Sequence, residues 1–190
     1  MSSRVRVRIG LIGCLAVAAC LVWALLPVMP GNDRGNDEPA ASTAMAWPFE
    51  ADGAASGWWA QNGMTGFEAG GGFLNGTVTQ KDAYMTSEDD LGIDITANKV
   101  IRIRMKNSTG TDMARIYFTT DTDFTFNSAK LRDFSLIRHD PGYTDYYIDM
   151  SPNSKWTGKL KQLRIDPIVE AAAGSFSIDE IRIGTADAPT

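Results

Sequence analysis

Cysteine is nearly missing from this chain of 190 residues: there are two, Cys14 and Cys20, and both fall in an N-terminal apolar run. Beyond them a disulfide framework, a cysteine zinc site and thiol catalysis are all excluded. Histidine is represented by His139 alone, which excludes a His-rich metal site and a two-histidine mechanism. A basic excess is missing too. The chain has 18 Lys+Arg against 23 Asp+Glu, a net charge of −5. The charged residues ahead of Gly31 are Arg4, Arg6 and Arg8, so the remainder is more acidic still. Such a surface does not displace phosphate counterions, which excludes nucleic acid as a general partner. There is no internal repeat, no Walker or dinucleotide glycine pattern, and no long stretch of helical period.

What is present divides into unlike parts. Residues 9–29 read IGLIGCLAVAACLVWALLPVM, and about 20 apolar residues span a bilayer core. Arginines precede the run, while Asp33, Asp37 and Glu38 follow it. The positive-inside rule then predicts an N-terminus in the cytoplasm and the rest outside. Residues 1–29 are expected to be a signal anchor or a cleaved signal peptide. Val17-Ala18-Ala19-Cys20 resembles a lipobox and leaves lipidation at Cys20 as a third reading. All three export the rest of the chain. Residues 30–46 are rich in Gly, Pro, Ala and Asp and read as a flexible linker. Residues 47–184 form the expected folded domain, and residues 185–190 a tail.

That domain reads as strands. In residues 100–106, Ile101, Ile103 and Met105 alternate with Arg102, Arg104 and Lys106, the period of a half-buried strand. Ile116 and Phe118 alternate with Arg115, Tyr117 and Thr119. Tyr146, Ile148 and Met150 alternate with Tyr147 and Asp149, and Leu163 and Ile165 with Gln162, Arg164 and Asp166. Phe176, Ile178 and Ile181 mark a last strand. Turn signals separate these segments: Gly70-Gly71-Gly72, residues 107–112, Pro141-Gly142, residues 151–154 and 171–174. The prediction is an all-β fold, an antiparallel sandwich or barrel.

In chain order the segments are Phe49-Glu50, Asp52-Gly53, Gly57-Trp58, residues 71–76, Asp82-Ala83-Tyr84, residues 101–107 and 116–120, Trp156-Thr157-Gly158, Leu163-Arg164-Ile165-Asp166-Pro167 and Ile178-Asp179-Glu180-Ile181. This arrangement resembles the jelly-roll, galactose-binding-like carbohydrate-binding modules of bacterial polysaccharide-degrading and cell-surface proteins, over roughly residues 47–184. The resemblance implies an antiparallel β-sandwich, sugar recognition without catalysis, and one structural Ca2+ joining first and last strands. Its matching positions are Glu50 and Asp179, with Asp52 as a loop ligand. Calcium takes several oxygen ligands, some of them backbone carbonyls; the competing reading is plain surface carboxylates.

Sugar rings stack their C–H faces on aromatic side chains while polar neighbours bond their hydroxyls. Trp58 and Trp156 lie in the recurring segments and are expected to be structural. Trp59, Tyr84, Tyr117 and Tyr147 fall on polar-face or loop positions and are candidate contacts. Arg102, Arg104, Arg115 and Arg164 occupy non-core positions of their strands, and their forked donors suit hydroxyls or carboxylates, so an acidic glycan is one expected ligand. The alternative is cross-strand pairing with Asp149, Asp166 or Glu180. His139 reads as a turn residue. No strand motif of jelly-roll alginate lyases and no G-x-S-x-G segment is present, so no enzyme is expected. The predicted activity is polysaccharide recognition by an exported, membrane-tethered, monomeric module. The alternatives are a structural or protein-interaction domain of the envelope and, more distantly, a small lyase or hydrolase.

Overall fold

The computed structural model describes residues 42–53, 55–170 and 173–185. The expected anchor, most of the expected linker and residues 186–190 lie outside them. The described residues form twelve strands and no helix. They are β1 (Thr43–Trp47), β2 (Trp58–Asn62), β3 (Met64–Gly70), β4 (Phe73–Val78), β5 (Tyr84–Ser87) and β6 (Ile93–Asp94), then β7 (Val100–Asn107), β8 (Met113–Thr120), β9 (Leu131–Ser135), β10 (Thr144–Asp149), β11 (Lys159–Asp166) and β12 (Gly174–Gly184). All pairings are antiparallel. The front sheet has the order β2-β5-β11-β8-β9, with β6 also on β11; the back sheet has the order β10-β7-β12-β4-β3, with β1 also on β12.

The alternation read from the sequence fixes which faces meet. Ile101, Ile103 and Met105 of β7 and Ile178, Ile181 and Ile183 of β12 are fully buried from the back sheet. Ala114, Ile116 and Phe118 of β8 and Leu163 and Ile165 of β11 are fully buried from the front sheet, in the same core. Each such side chain contributes about 1.5–3 kcal/mol by burial. A one-residue slip of β7 would bury Arg102 and Arg104 instead, so the register is strongly set. Trp58 meets Trp47 edge-on at 5.4 Å, and Trp156 meets Phe118 at 4.8 Å, its indole N–H donating to the Asn98 carbonyl at 3.0 Å. Both tryptophans expected to be structural are buried.

Two boundaries differ from expectation. The chain is already ordered into β1 from Thr43, four residues before the predicted domain start, because Thr43 and Trp47 face Gly184 and Ile181 of β12. The short polar residues at 42–44 gave no apolar signal, but their backbone groups complete a ladder. At the other end Thr185 still belongs to that ladder, its N–H donating to the Ser42 carbonyl at 3.0 Å. β4 follows the turn expected at Gly70-Gly71-Gly72 and contains most of the segment at residues 71–76, for which the alternation predicted no strand. It is a central strand, because Gly76 lies under the Phe176 ring, which would stand 2.5 Å from a Cβ there.

Candidate functional site

The eight predicted sugar-contact residues divide between the two outer faces. Trp59, Tyr84, Arg115, Tyr117 and Arg164 belong to the front sheet, and Arg102, Arg104 and Tyr147 to the back sheet. On the front sheet the register sets Trp59 opposite Thr86, Thr86 opposite Arg164 and Arg164 opposite Tyr117. Three strand spacings separate Trp59 from Tyr117, about 14 Å. Two residues along, Asp166 faces Arg115 and Arg115 faces Asp133.

The side chains of this face interlock. The Arg164 guanidinium lies 3.8 Å from the centre of the Tyr84 ring and 4.8 Å from that of Tyr117, a stacked arrangement that Arg favours. It donates to both oxygens of Asp166, at 2.7 and 2.9 Å, and to Asp82 at 2.6 Å. Arg115 donates to both oxygens of Asp133 and at 3.4 Å to the Tyr117 hydroxyl. Burial opposes the charge on Arg164, but the bonds from Asp166 and Asp82 outweigh it and raise its pKa. Burial pushes Asp166 above the usual carboxylate value, with Arg164 opposing. Between Arg115, Tyr117, Asp166 and the loop side chains of Lys81, Asp82 and Glu170 lies a depression of about 140 Å3. Trp59 stands free at the margin of the row, 53% exposed, beside Gln61, whose amide donates to the Thr86 hydroxyl at 3.0 Å. A second hollow, about 310 Å3, opens at the start of β11 against the exposed ring of Phe124 and the Lys161 ammonium.

The back face is a closed ion network. Arg102 pairs with Asp145 at 2.7 Å and Glu180 at 2.5 Å, Arg104 with Asp145 at 2.9 Å and Asp179 at 2.8 Å, and Arg182 with Glu180 at 2.8 Å. Its aromatics are mostly engaged as well: Phe73 and Tyr143 stack at 4.6 Å, and the Tyr143 hydroxyl meets that of Ser177 at 2.8 Å. Tyr147 is exposed on β10 at the sheet edge. The alternative of cross-strand pairing therefore holds for Arg102 with Glu180, whereas Arg164 pairs with Asp166 two residues along its own strand. It does not hold for Asp149, which instead caps Ser151 at 2.9 Å.

Two of the three carboxylates expected to hold calcium have partners within the domain. Asp179 is held by Arg104, and one oxygen of Asp52 accepts the Gly71 N–H at 2.9 Å. Glu50 is exposed. Among the described residues no three His, Cys, Asp or Glu side chains come together as a cation would need. His139 sits in the β9–β10 loop with positive φ, its ring against the Ser108 carbonyl at 3.3 Å, as a turn residue should.

Four front-face residues were not singled out: Gln61, Asp82, Thr86 and Asp133. Period-two spacing carried the signal for two of them, since Trp59 and Gln61, and Tyr84 and Thr86, share a face once their segments are strands. Nothing local marks Asp133 as the partner of Arg115, because β9 is an edge strand without clean alternation.

No protein-family model matches the sequence, and no curated protein matches it. Solved structures do resemble the fold. The apo structure of BiXyn10A CBM1 superposes with a TM-score of 0.52 at 9% identity, over 76% of this chain and 99% of that one. A CBM29-2 variant gives 0.49 at 14% identity over 75% and 86%. Another, complexed with mannohexaose, gives 0.48 at 15% identity over 77% and 93%. The described domain thus has the jelly-roll β-sandwich fold of a carbohydrate-binding module.

Proposed function

We propose that the front face binds a polysaccharide without cleaving it, with Trp59 as the stacking platform and the Tyr84–Arg164–Tyr117 row beside it supplying the polar contacts. The observation that carries this is an indole 53% exposed on a rigid strand, in register with a row of aromatic and hydrogen-bonding side chains. A large aromatic left in water costs burial energy that a sugar face would restore. The length of the row suits an oligosaccharide chain better than a single ring. The acids of this face hold guanidinium groups, which supports recognition over acid–base chemistry. Binding would fall near −4 to −8 kcal/mol, about millimolar to micromolar.

We also infer that the apolar run at residues 9–29 exports the domain and tethers it to the membrane, so that recognition takes place at the cell envelope. The test is calorimetric titration of the full-length protein with a panel of soluble polysaccharides. Binding to one glycan class, lost in Trp59→Ala and kept in Tyr147→Ala, supports the front-face reading. Binding lost in Tyr147→Ala instead would move the site to the back face. No binding by the folded protein would leave the structural, protein-interaction role.

A further inference from the structure

We propose that the front face selects neutral polysaccharides and rejects polyanionic ones, and that Asp133, Asp82 and Asp166 set this selectivity. The inference rests on the front-face reading and names the ligand class of that site. Arginine at non-core positions suggested a uronic-acid polymer from sequence, but both front-face guanidinium forks are already filled. Arg115 is gripped by both oxygens of Asp133, and Arg164 by both oxygens of Asp166 and by Asp82. A uronate would have to displace a carboxylate held in place by the fold, and would gain only the contact that it broke. It would also join four negative charges, Asp82, Asp133, Asp166 and Glu170, set against three positive ones, Arg115, Arg164 and Lys81, a repulsion unrelieved by the acidic chain as a whole.

Sugar hydroxyls face no such conflict. An ionised carboxylate has about four acceptor positions, so Asp133 and Asp82 keep room to accept from a hydroxyl while holding their arginines. Asp133 is 40% exposed and Asp82 67%. A hydroxyl donates into such a surface; a uronate carboxylate only accepts and finds few free donors. Stacking of Arg164 on Tyr84 and Tyr117 adds to this, because it fixes the guanidinium plane and keeps it from swinging out to an anion.

The experiment titrates the full-length protein, by calorimetry, with galactomannan and hydroxyethylcellulose as neutral probes and polygalacturonate and alginate as acidic ones. The expected result is binding to at least one neutral polymer and binding at least ten-fold weaker to both acidic ones. Asp133→Asn, which frees Arg115, should strengthen polygalacturonate binding at least ten-fold and so narrow the gap between neutral and acidic polymers. Asp82→Asn, at a more exposed carboxylate, repeats the test should Asp133→Asn fold poorly. Asp145→Asn on the back face should change neither. Acidic polymers bound as tightly as neutral ones, with both lost in Trp59→Ala, would overturn the selectivity and leave the site standing. Unchanged acidic binding in folded Asp133→Asn and Asp82→Asn would also overturn it. No polymer bound at all would overturn the site reading and the selectivity with it.

Discussion

The two outer faces of the sandwich carry the same kinds of residue and arrange them differently. On the back, Arg102, Arg104 and Arg182 are tied to Asp145, Asp179 and Glu180, and Phe73 and Tyr143 stack on one another. On the front, two arginines are also paired, but one of them is stacked on two tyrosines and a tryptophan stands clear in solvent. Arginine on the non-core side of a strand is therefore no mark of a ligand site in this fold. What separates the faces is which aromatic surface is left uncovered and what lies beside it. On the back it is Tyr147, next to an Arg102 already held by Asp145 and Glu180; on the front it is the larger indole of Trp59, next to Gln61 and Thr86.

The comparison can be broken most forcefully at Arg164. Arg164→Ala should destabilise the domain by about 3–5 kcal/mol, the cost of leaving a buried carboxylate unpaired, because Asp166 is 6% exposed. Arg104→Ala on the more open back network should cost about 1 kcal/mol or less. Urea unfolding of both variants measures the difference, and equal losses would erase the distinction between the faces. Next comes Trp59→Ala, expected to weaken polysaccharide binding by about 2 kcal/mol or more, as loss of an aromatic anchor does. Tyr147→Ala should leave binding within about 0.5 kcal/mol. Gly184→Ala sharpens the comparison from the other side. A Cβ there would stand 2.1 Å from the Ser42 carbonyl oxygen, so β1 should be displaced from β12 at a cost of about 1–3 kcal/mol, with front-face binding intact.

The smallest effect is on pH dependence. The hydroxyl and backbone N–H of Ser151 hold Asp149, on the back sheet, below the usual carboxylate value. The stability that it contributes is thus present above the unfolded-state pKa, about 4, and is lost as pH falls through the lowered folded value. Asp149→Asn should flatten the acid limb of a stability profile. Asp166 on the front sheet runs the other way. Its raised pKa favours the folded state at low pH and withdraws that advantage as pH rises through the raised value. Unfolding of Asp149→Asn and Asp166→Asn measured from about pH 3 to 7 would show opposite signs for the two residues.

Much of the fold was legible because burial enforces a period of two. β7, β8 and β11 place their arginines and their isoleucines as the alternation requires, while in β12 a register shift between Ile178 and Glu180 lets both Ile178 and Ile181 face the core. Legibility failed where backbone pairing, and not side-chain burial, holds a strand. β1 and β9 lie where few apolar side chains are needed, and in β4 the inward position between Leu74 and Val78 is Gly76, whose place under the Phe176 ring no local signal marks. The candidate site was half legible for a related reason. Alternation tells which residues leave the core, but not which of two sheets they leave it from. Arg102 and Arg164 look alike in sequence and stand on opposite sides of the molecule. The partner of each arginine is set by long-range register, as with Arg115 and Asp133, and that register lies in no local motif.

One feature of the back sheet bears on mechanics. Ser42 and Thr185 hold each other by two hydrogen bonds, and β1 closes on β12 directly beside them. Everything before residue 42 connects to the sandwich through that five-residue strand. A pull on the chain from its N-terminal side thus enters the domain through the β1–β12 ladder and reaches the core only at Trp47, the last residue of β1, which packs on Trp58 of the front sheet. Tension that peeled residues 43–46 away, as far as the buried Trp47, would lengthen the connection to the N-terminal segment by four extended residues, roughly 14 Å, while β2, β5, β11, β8 and β9 kept their register. The strand is placed to act as a tension-release link, yielding in length before the binding surface yields in shape.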